Sequence, residues 1–576
     1  MSRRQLPFVL VLALLLGIFV ARVPQFLSFF AGQPPVFMAV DEARDLIRSR
    51  YVEPVSDEQL VTGAISGMAA SLGDPYSQYI APTKVGDFHK DLLGQFVGIG
   101  ATVRKLGPHV LIVTPLPNSP AFLAGLQPED RVMSIDGASV ATLTIEQCID
   151  KLKGIPGTAV SIDVLRGISP LLDTSAAGKE AEAAAALTAA QRLTINLTRA
   201  ELNVSPVRGF RWDSTLGKWD FLIDPTARIA YIRIEQFSGH ASSDVQAALD
   251  DLRRTLDPQH ADAAWLKGII LDLRDNPGGL LDDAIALCDM FMDSGIIVST
   301  RSRVDVAASK SVGRQGEVVS AKAGEVLPGA AIAVLVNGRS ASASEVVAGA
   351  LAEQTPPRAI IVGTRTFGKG LVQATEPLAS GGILKLTEQF YFLPSGRLIQ
   401  RKDNSATWGV DPTPGFFIDK TDAQLIATMV ARDTLEAVWP VGAVRTIAAF
   451  GQQLIASDPR LSDAAWMAAN MQDVQLAAAI TAVQGKVATG QWTPPAAADG
   501  RGPATAQTTA AQVQTAEIAA LERSRERYIT ELERIEKRLI AIERGTPVPG
   551  VKPTEAAPPP ILLPPLTPAT PGQAPR

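Results

Sequence analysis

The chain has 576 residues, 46% of them hydrophobic, and a formal net charge of −5. That length is too great for one core of roughly 100–200 residues, so several domains are expected. The mildly acidic balance, without a basic stripe or a zinc-type cysteine pattern, speaks against nucleic-acid binding. Two cysteines, Cys148 and Cys288, cannot build a disulfide framework and read as buried thiols.

Residues 1–32 carry Arg3 and Arg4 ahead of an apolar run from Leu6 to Ala21. This reads as a signal peptide or an uncleaved signal anchor. Both readings place the rest of the chain outside the cytoplasm, in the latter case held to the membrane through its N-terminal segment. Residues 33–93 predict short helices. Val40, Ala43, Leu46 and Ile47 keep helical spacing up to Pro54, a second helix runs from Asp57 to Leu72, and Gly73-Asp74-Pro75 marks a turn.

Residues 94–200 change to a strand pattern. Val97–Val103 and Val110–Thr114 predict strands, and Asn118-Ser119-Pro120 leads into a short helix ending at Gly125. Arg131–Ile135 is a strand before an Asp136-Gly137 turn, Thr144 caps a helix from Ile145 to Lys153, and Val160–Leu165 is a further strand. Residues 169–190 are Ala- and Glu-rich and read as an exposed insertion, after which Arg192–Leu202 alternates as a strand.

Within 201–418, strands at 229–234, 268–273, 332–336, 359–362 and 383–392 alternate at first with helices at 243–256, 280–292 and from about 344. That order predicts an α/β core with a mostly parallel sheet covered on both faces. Residues 419–500 read as an Ala-rich helical extension. Over 501–545 the heptad Leu521, Tyr528, Leu532, Ile535, Leu539 and Ile542 fits a coiled coil, and hence a homo-oligomer, or one amphipathic helix docked on its own protein. Residues 546–576 are Pro-rich and read as extended or disordered.

Three segments carry chemistry. Ser340-Ala341-Ser342-Ala343-Ser344-Glu345 follows a buried strand and opens a helix, where a serine stands beside free N–H groups suited to an oxyanion. Phe367-Gly368-Lys369-Gly370 holds a lysine on a tight loop, and a partly desolvated lysine there acts as a general base. It is not a nucleotide loop, because Lys369 is followed by Gly370 rather than Ser or Thr. Leu273-Arg274-Asp275-Asn276-Pro277-Gly278-Gly279 lies at the carboxyl end of a strand, the usual ligand edge of an α/β sheet. The histidines, His89, His109, His240 and His260, form neither a Ser-His-Asp pattern nor metal spacing, so no cofactor or metal is expected.

Together these segments resemble the carboxyl-terminal processing peptidases, serine peptidases of the S41 type that use a Ser-Lys dyad. The resemblance extends through Leu384-Lys385-Leu386-Thr387 and Pro394-Ser395-Gly396-Arg397, and covers residues 37 to about 415. It implies Ser344 as nucleophile, Lys369 as base 25 residues on, and Gln373 as support for the lysine. It also implies oxyanion donors at the N–H groups of Gly278 and Glu345. The module at 94–200 resembles a PDZ domain, with Val97, Gly98, Ile99 and Gly100 where its carboxylate-binding loop belongs. Such a groove takes an extended C-terminal peptide by strand addition. The expectation is an endopeptidase in the bacterial cell envelope, periplasmic or extracytoplasmic, that cuts exported proteins near free C-terminal tails. The alternative is a catalytically inactive PDZ scaffold that assembles envelope partners.

Overall fold

The computed structural model describes residues 35–168, 180–302, 316–402, 405, 407–439 and 459–495. The N-terminal apolar segment 1–32, the candidate coiled coil 501–545 and the Pro-rich tail 546–576 lie outside the described residues. All described residues belong to the unit Met1–Pro503, and the second unit, Ala504–Arg576, lies outside them.

Short runs of Ile, Val, Leu and Ala at Ile229–Ile234, Gly268–Asp272, Ala331–Val336 and Ala359–Gly363 form the expected parallel sheet in that order. Every residue in these four strands is buried, as a sheet covered on both faces requires. Alternate side chains separate cleanly. Ala230, Ile232, Ile269, Leu271, Ile332, Val334 and Ile361 pack on one face against the helices Ala241–Leu256, Leu281–Phe291 and Ala343–Ala352. Tyr231, Ile270, Ala333, Leu335, Ile360 and Val362 pack on the other.

That second face is covered by the C-terminal extension. Helices Asp422–Glu436, Ala464–Asn470 and Val474–Thr489 contribute Ala431, Leu435, Met467, Met471, Leu476, Ile480 and Val483. Gly268 lets the last of these helices close in, since a Cβ there would meet Val483 Cγ1 at 2.4 Å. The extension is therefore one layer of the α/β core rather than an appendage.

A second, antiparallel sheet stands beside the first. Strand Ile383–Phe392 pairs with Leu371–Pro377 on one edge, and with Gln78–Ile80 and Ile296–Ser302 on the other. Of these, the sequence reading anticipated only Ile383–Phe392.

The β-rich module has strand order Ala101–Leu106, His109–Pro115, Arg131–Ile135, Ala159–Arg166, Gln191–Thr198. The helix Ile145–Leu152 closes it with a Thr144/Gln147 capping box. The single strand expected over Val97–Val103 is two strands. Gly100, at φ 78°, turns the chain between Gln95–Gly98 and Ala101–Leu106, and Gln95–Gly98 pairs with Ala200–Asn203 instead. The Ala-rich insertion forms a helix at Glu180–Ala189. It leaves the flanking strands fully paired, from Ala159 with Thr198 to Arg166 with Gln191. Cys148 and Cys288 are free and buried, as their sequence contexts implied.

Candidate active site

The loops that leave the carboxyl ends of three adjacent parallel strands converge on one corner. Strand Gly268–Asp272 delivers Leu273–Gly279, Ala331–Val336 delivers Asn337–Ser344, and Ala359–Gly363 delivers Thr364–Gly370. This brings all three chemistry-bearing segments together.

The three serines of the Ser-Ala-Ser-Ala-Ser run have different surroundings. Ser340 is buried, and its hydroxyl donates to the Leu273 carbonyl at 2.7 Å while accepting from Asn337 N–H at 2.9 Å. Ser344 is 0% exposed, and its hydroxyl donates to the Asn276 carbonyl at 3.0 Å. Ser342 lies between them at the strand-to-helix corner, half-buried, with φ 56° and ψ −117°. A non-glycine residue held at positive φ costs of order 1–3 kcal/mol and persists only where its surroundings fix it. Ser344, the expected nucleophile, therefore lacks the access that role needs. A nucleophile must touch substrate, and Ser344 is sealed between its helix and the 273–279 loop, whereas Ser342 reaches the surface.

Two groups fix Ser342 against Lys369. The Glu345 carboxylate accepts from Ser342 N–H at 2.8 Å and from Lys369 N–H at 2.8 Å. It also accepts from Gly368 N–H at 2.6 Å and from the Thr366 hydroxyl at 2.5 Å. On the other side, the Tyr391 hydroxyl bonds the Ser342 carbonyl at 2.9 Å and the Lys369 carbonyl as well. Burial pushes the Glu345 carboxyl up, and the hydrogen bonds from Thr366, Lys369, Gly368 and Ser342 oppose it.

The lysine side chain is partly buried, and burial lowers its pKa. Nearby Lys385 acts in the same direction, while Asp74 and Glu345 act against it. The ammonium lies over the Tyr76 ring, 4.3 Å from its centroid. Gln373 sits on the adjoining strand, and its amide donates to the Thr387 hydroxyl at 3.3 Å.

The expected oxyanion donors are both engaged within the protein. Glu345 N–H donates to the Ser342 carbonyl at 2.8 Å, inside the first helical turn. Gly278 N–H donates to Asn276 Oδ1 at 2.8 Å. Among the described residues no acceptor bonds Ala343 N–H, which opens the helix beside Ser342. Gly278 packs against this corner so closely that a Cβ there would meet Ser342 Cβ at 2.7 Å and Ala343 N at 3.0 Å. The neighbouring Asp275, at φ 66°, is braced by Asn337, Arg339 and Arg432. Burial opposes ionisation of Asp275, but those hydrogen bonds hold its carboxyl well below the usual range.

In the β-rich module, the Ile99 carbonyl accepts from Ala121 N–H, and the Gly100 carbonyl accepts from Leu116 N–H and the Ser119 hydroxyl. The Val97–Gly100 loop is thereby fastened to the Pro117–Gly125 turn. Strand Ala101–Leu106 stands at the edge of its sheet, the place where a peptide strand could add.

Sequence reasoning did not single out the contacts of Ser342, Tyr391, Tyr76 and the Glu345 carboxylate at this corner. The Ser342-x-x-Glu345 spacing is a capping-box pattern, which marks Ser342 as the corner residue. Tyr76 and Tyr391 are distant in sequence, and no local signal points to them.

The description "Peptidase family S41" matches residues 228–414, "PDZ domain" matches 111–166, and "Activating protease CtpB N-terminal domain" matches 32–83. A "Carboxy-terminal-processing protease" of Bartonella bacilliformis is 34% identical over 377 residues, 65% of this chain and 73% of that protein. A "Probable CtpA-like serine protease" of Staphylococcus saprophyticus is 30% identical over 63% of each chain. A solved "photosystem II D1 C-terminal processing protease" is 25% identical and aligns with a TM-score of 0.35, over 67% of this chain and 92% of that one.

Proposed function

Because the chain belongs to peptidase family S41, as a carboxy-terminal processing protease with a PDZ domain, we propose that it cleaves proteins near their C-terminal tails with Ser342 as nucleophile and Lys369 as general base. The observation that carries this reading is the double tie of Ser342 to Lys369. One carboxylate holds both N–H groups and one hydroxyl holds both carbonyls. Two residues so fixed can present their side chains to one reacting carbonyl.

Neutral Lys369 takes the Ser342 proton as Oγ attacks the scissile carbonyl, and then protonates the leaving amine. Ala343 N–H and the Gly278-Gly279 backbone receive the oxyanion, Gly278 after leaving Asn276 Oδ1. Water then releases the acyl group by the same relay. Gln373 steadies the lysine once its ammonium leaves the Tyr76 ring. Substrates are proteins and peptides with free C-termini, selected on the edge strand Ala101–Leu106 beside the Val97–Gly100 loop. Residues 1–32 would export the chain and hold it at the membrane. Among the described residues, no helix is long and apolar enough to cross a membrane. Residues 501–545 would make it a homo-oligomer, which light scattering with and without residues 510–546 reads.

The test compares cleavage of an unfolded exported protein by the wild type and by Ser342→Ala, Ser344→Ala and Lys369→Ala. Loss of cleavage in Ser342→Ala and Lys369→Ala, with Ser344→Ala retaining it, is expected. Full activity in Ser342→Ala refutes the assignment, and activity in none of the forms, wild type included, favours the inactive scaffold.

A further inference from the structure

The segment Gly73-Asp74-Pro75-Tyr76-Ser77 takes no part in the chemistry above, yet it reaches Lys369. Its placement is fixed. Gly73 turns the chain at φ 64° after helix Asp57–Ala70. The Asp74 carboxylate then accepts from Tyr76 N–H at 3.0 Å and from the Ser77 hydroxyl at 2.6 Å, an Asx-type turn. Ser77 Oγ accepts from Thr387 N–H at 3.0 Å, and Gln78–Ile80 then pairs with Lys385–Ile383. The same strand, Ile383–Phe392, carries Tyr391, which ties Ser342 to Lys369. Tyr76 is thus anchored to the element that organises the site, with its ring 4.3 Å from Lys369 Nζ.

We propose that Tyr76 is a positioning residue of the proteolytic site: its ring face holds the Lys369 side chain while the lysine is protonated and releases it toward Ser342 as the neutral amine. The inference rests on Lys369 being the general base. Its physical ground is that an aromatic quadrupole attracts an ammonium and has no comparable hold on an uncharged amine. The charged and titratable groups around Lys369 come from three elements: Tyr76 and Asp74 from the N-terminal segment, Lys385 from the strand Ile383–Phe392, and Glu345 from the serine helix. Burial and Lys385 favour the neutral lysine, whereas Asp74 and Glu345 favour the charged one, and the ring adds to the latter. Burial, Asp74 and Glu345 all push the Tyr76 phenol up, so the ring stays neutral as the lysine titrates.

The experiment is the pH profile of kcat/KM for an unfolded protein substrate, measured on the full chain. Tyr76→Phe keeps the ring face and retains the wild-type acid-limb inflection. Tyr76→Leu keeps an apolar wall without the quadrupole, and moves the inflection down by roughly 0.5 to 1 pH unit. Trifluorophenylalanine at position 76 preserves shape, drains the ring face, and moves the inflection in the same direction even if the leucine variant does not fold. An inflection unmoved in both the leucine and fluorinated forms overturns the proposal. Lys369→Ala, measured alongside, keeps the two readings apart. If it still cleaves, the lysine reading falls; if it is inactive while Tyr76 variants titrate as wild type, only the role of Tyr76 falls.

Discussion

Glu345 shows how one buried side chain can hold two loops of the candidate site together. Its carboxylate is buried and accepts from four donors drawn from two loops. Tyr391 completes the same tie from the other side, and removing its hydroxyl leaves the Ser342 and Lys369 carbonyls short of a donor. Tyr391→Phe is expected to lower kcat about tenfold or more, with KM little changed, because the loss falls on alignment rather than on binding. It should also cost about 1–3 kcal/mol in urea unfolding, the usual penalty for stranding buried polar groups. A variant equal to wild type in both measurements would remove Tyr391 from the site. At this scale the sequence was legible in type but not in register. Lys369 and the glycine corner at 278–279 lie beside the serine run, while the nucleophile proposed above is Ser342 rather than Ser344. A count of 25 residues between serine and lysine does not sense which serine reaches the surface. Burial and backbone dihedrals do not depend on that count.

Helix Asp422–Glu436 and the residues just after it connect the candidate corner with the β-rich module. Arg432 donates to Asp275 at 3.0 Å beside the Gly278-Gly279 corner. One residue on, Asp433 accepts from Arg104 at 3.2 Å, on the edge strand of the PDZ domain. Glu436 pairs with Arg233 at 2.5 Å, and Val438 N–H donates to the Thr114 hydroxyl at 2.7 Å. A peptide adding beside Arg104 would therefore press on the helix that braces Asp275. Arg432→Met should lower kcat on every substrate, because Asp275 loses a brace at the catalytic corner. Arg104→Ala should change kcat/KM only for substrates whose C-terminal tail occupies the PDZ groove. Kinetics on one protein with and without its last few residues distinguishes these outcomes, and equal responses of both variants to tail removal would break the connection. Sequence patterning read this helix only as part of an Ala-rich extension. Its apolar residues do not form one stripe, since Leu425, Ile426 and Met429 are exposed while Ala431 and Leu435 are buried, so the pattern does not mark the face packed on the sheet.

Across the whole molecule, the C-terminal layer is joined to the sheet by a buried ionic network. Arg274 donates to Asp272 at 2.6 Å and to Asp473 at 2.7 Å, and Lys420 donates to Asp473 at 2.7 Å. The α/β order of the core was legible because each strand is a short, mostly apolar run, broken only by Tyr231, Arg233, Asp272 and the glycines at 268 and 363. The partner of its second face was not, since contacts between residues some 200 positions apart, such as Arg274 with Asp473, leave no local pattern. The network makes stability depend on pH. Burial opposes ionisation of Asp473, but Arg274 and Lys420 hold its carboxyl far below the ordinary 3.8. A carboxyl depressed in the folded state contributes fully above its unfolded pKa, and that contribution is lost as pH falls from there toward the folded value. The wild type should therefore hold its stability from neutral pH to about 5 and lose it progressively below 4. Asp473→Asn removes both the contribution and its titration. It should unfold with about 3–5 kcal/mol less stability at pH 7, because Arg274 and Lys420 remain buried with one partner fewer. Between pH 5 and pH 2 its stability should also fall less steeply than that of the wild type. Urea unfolding at pH 7, 5, 4 and 3 measures both effects, and parallel pH curves for the two proteins would show that Asp473 does not carry the acid dependence.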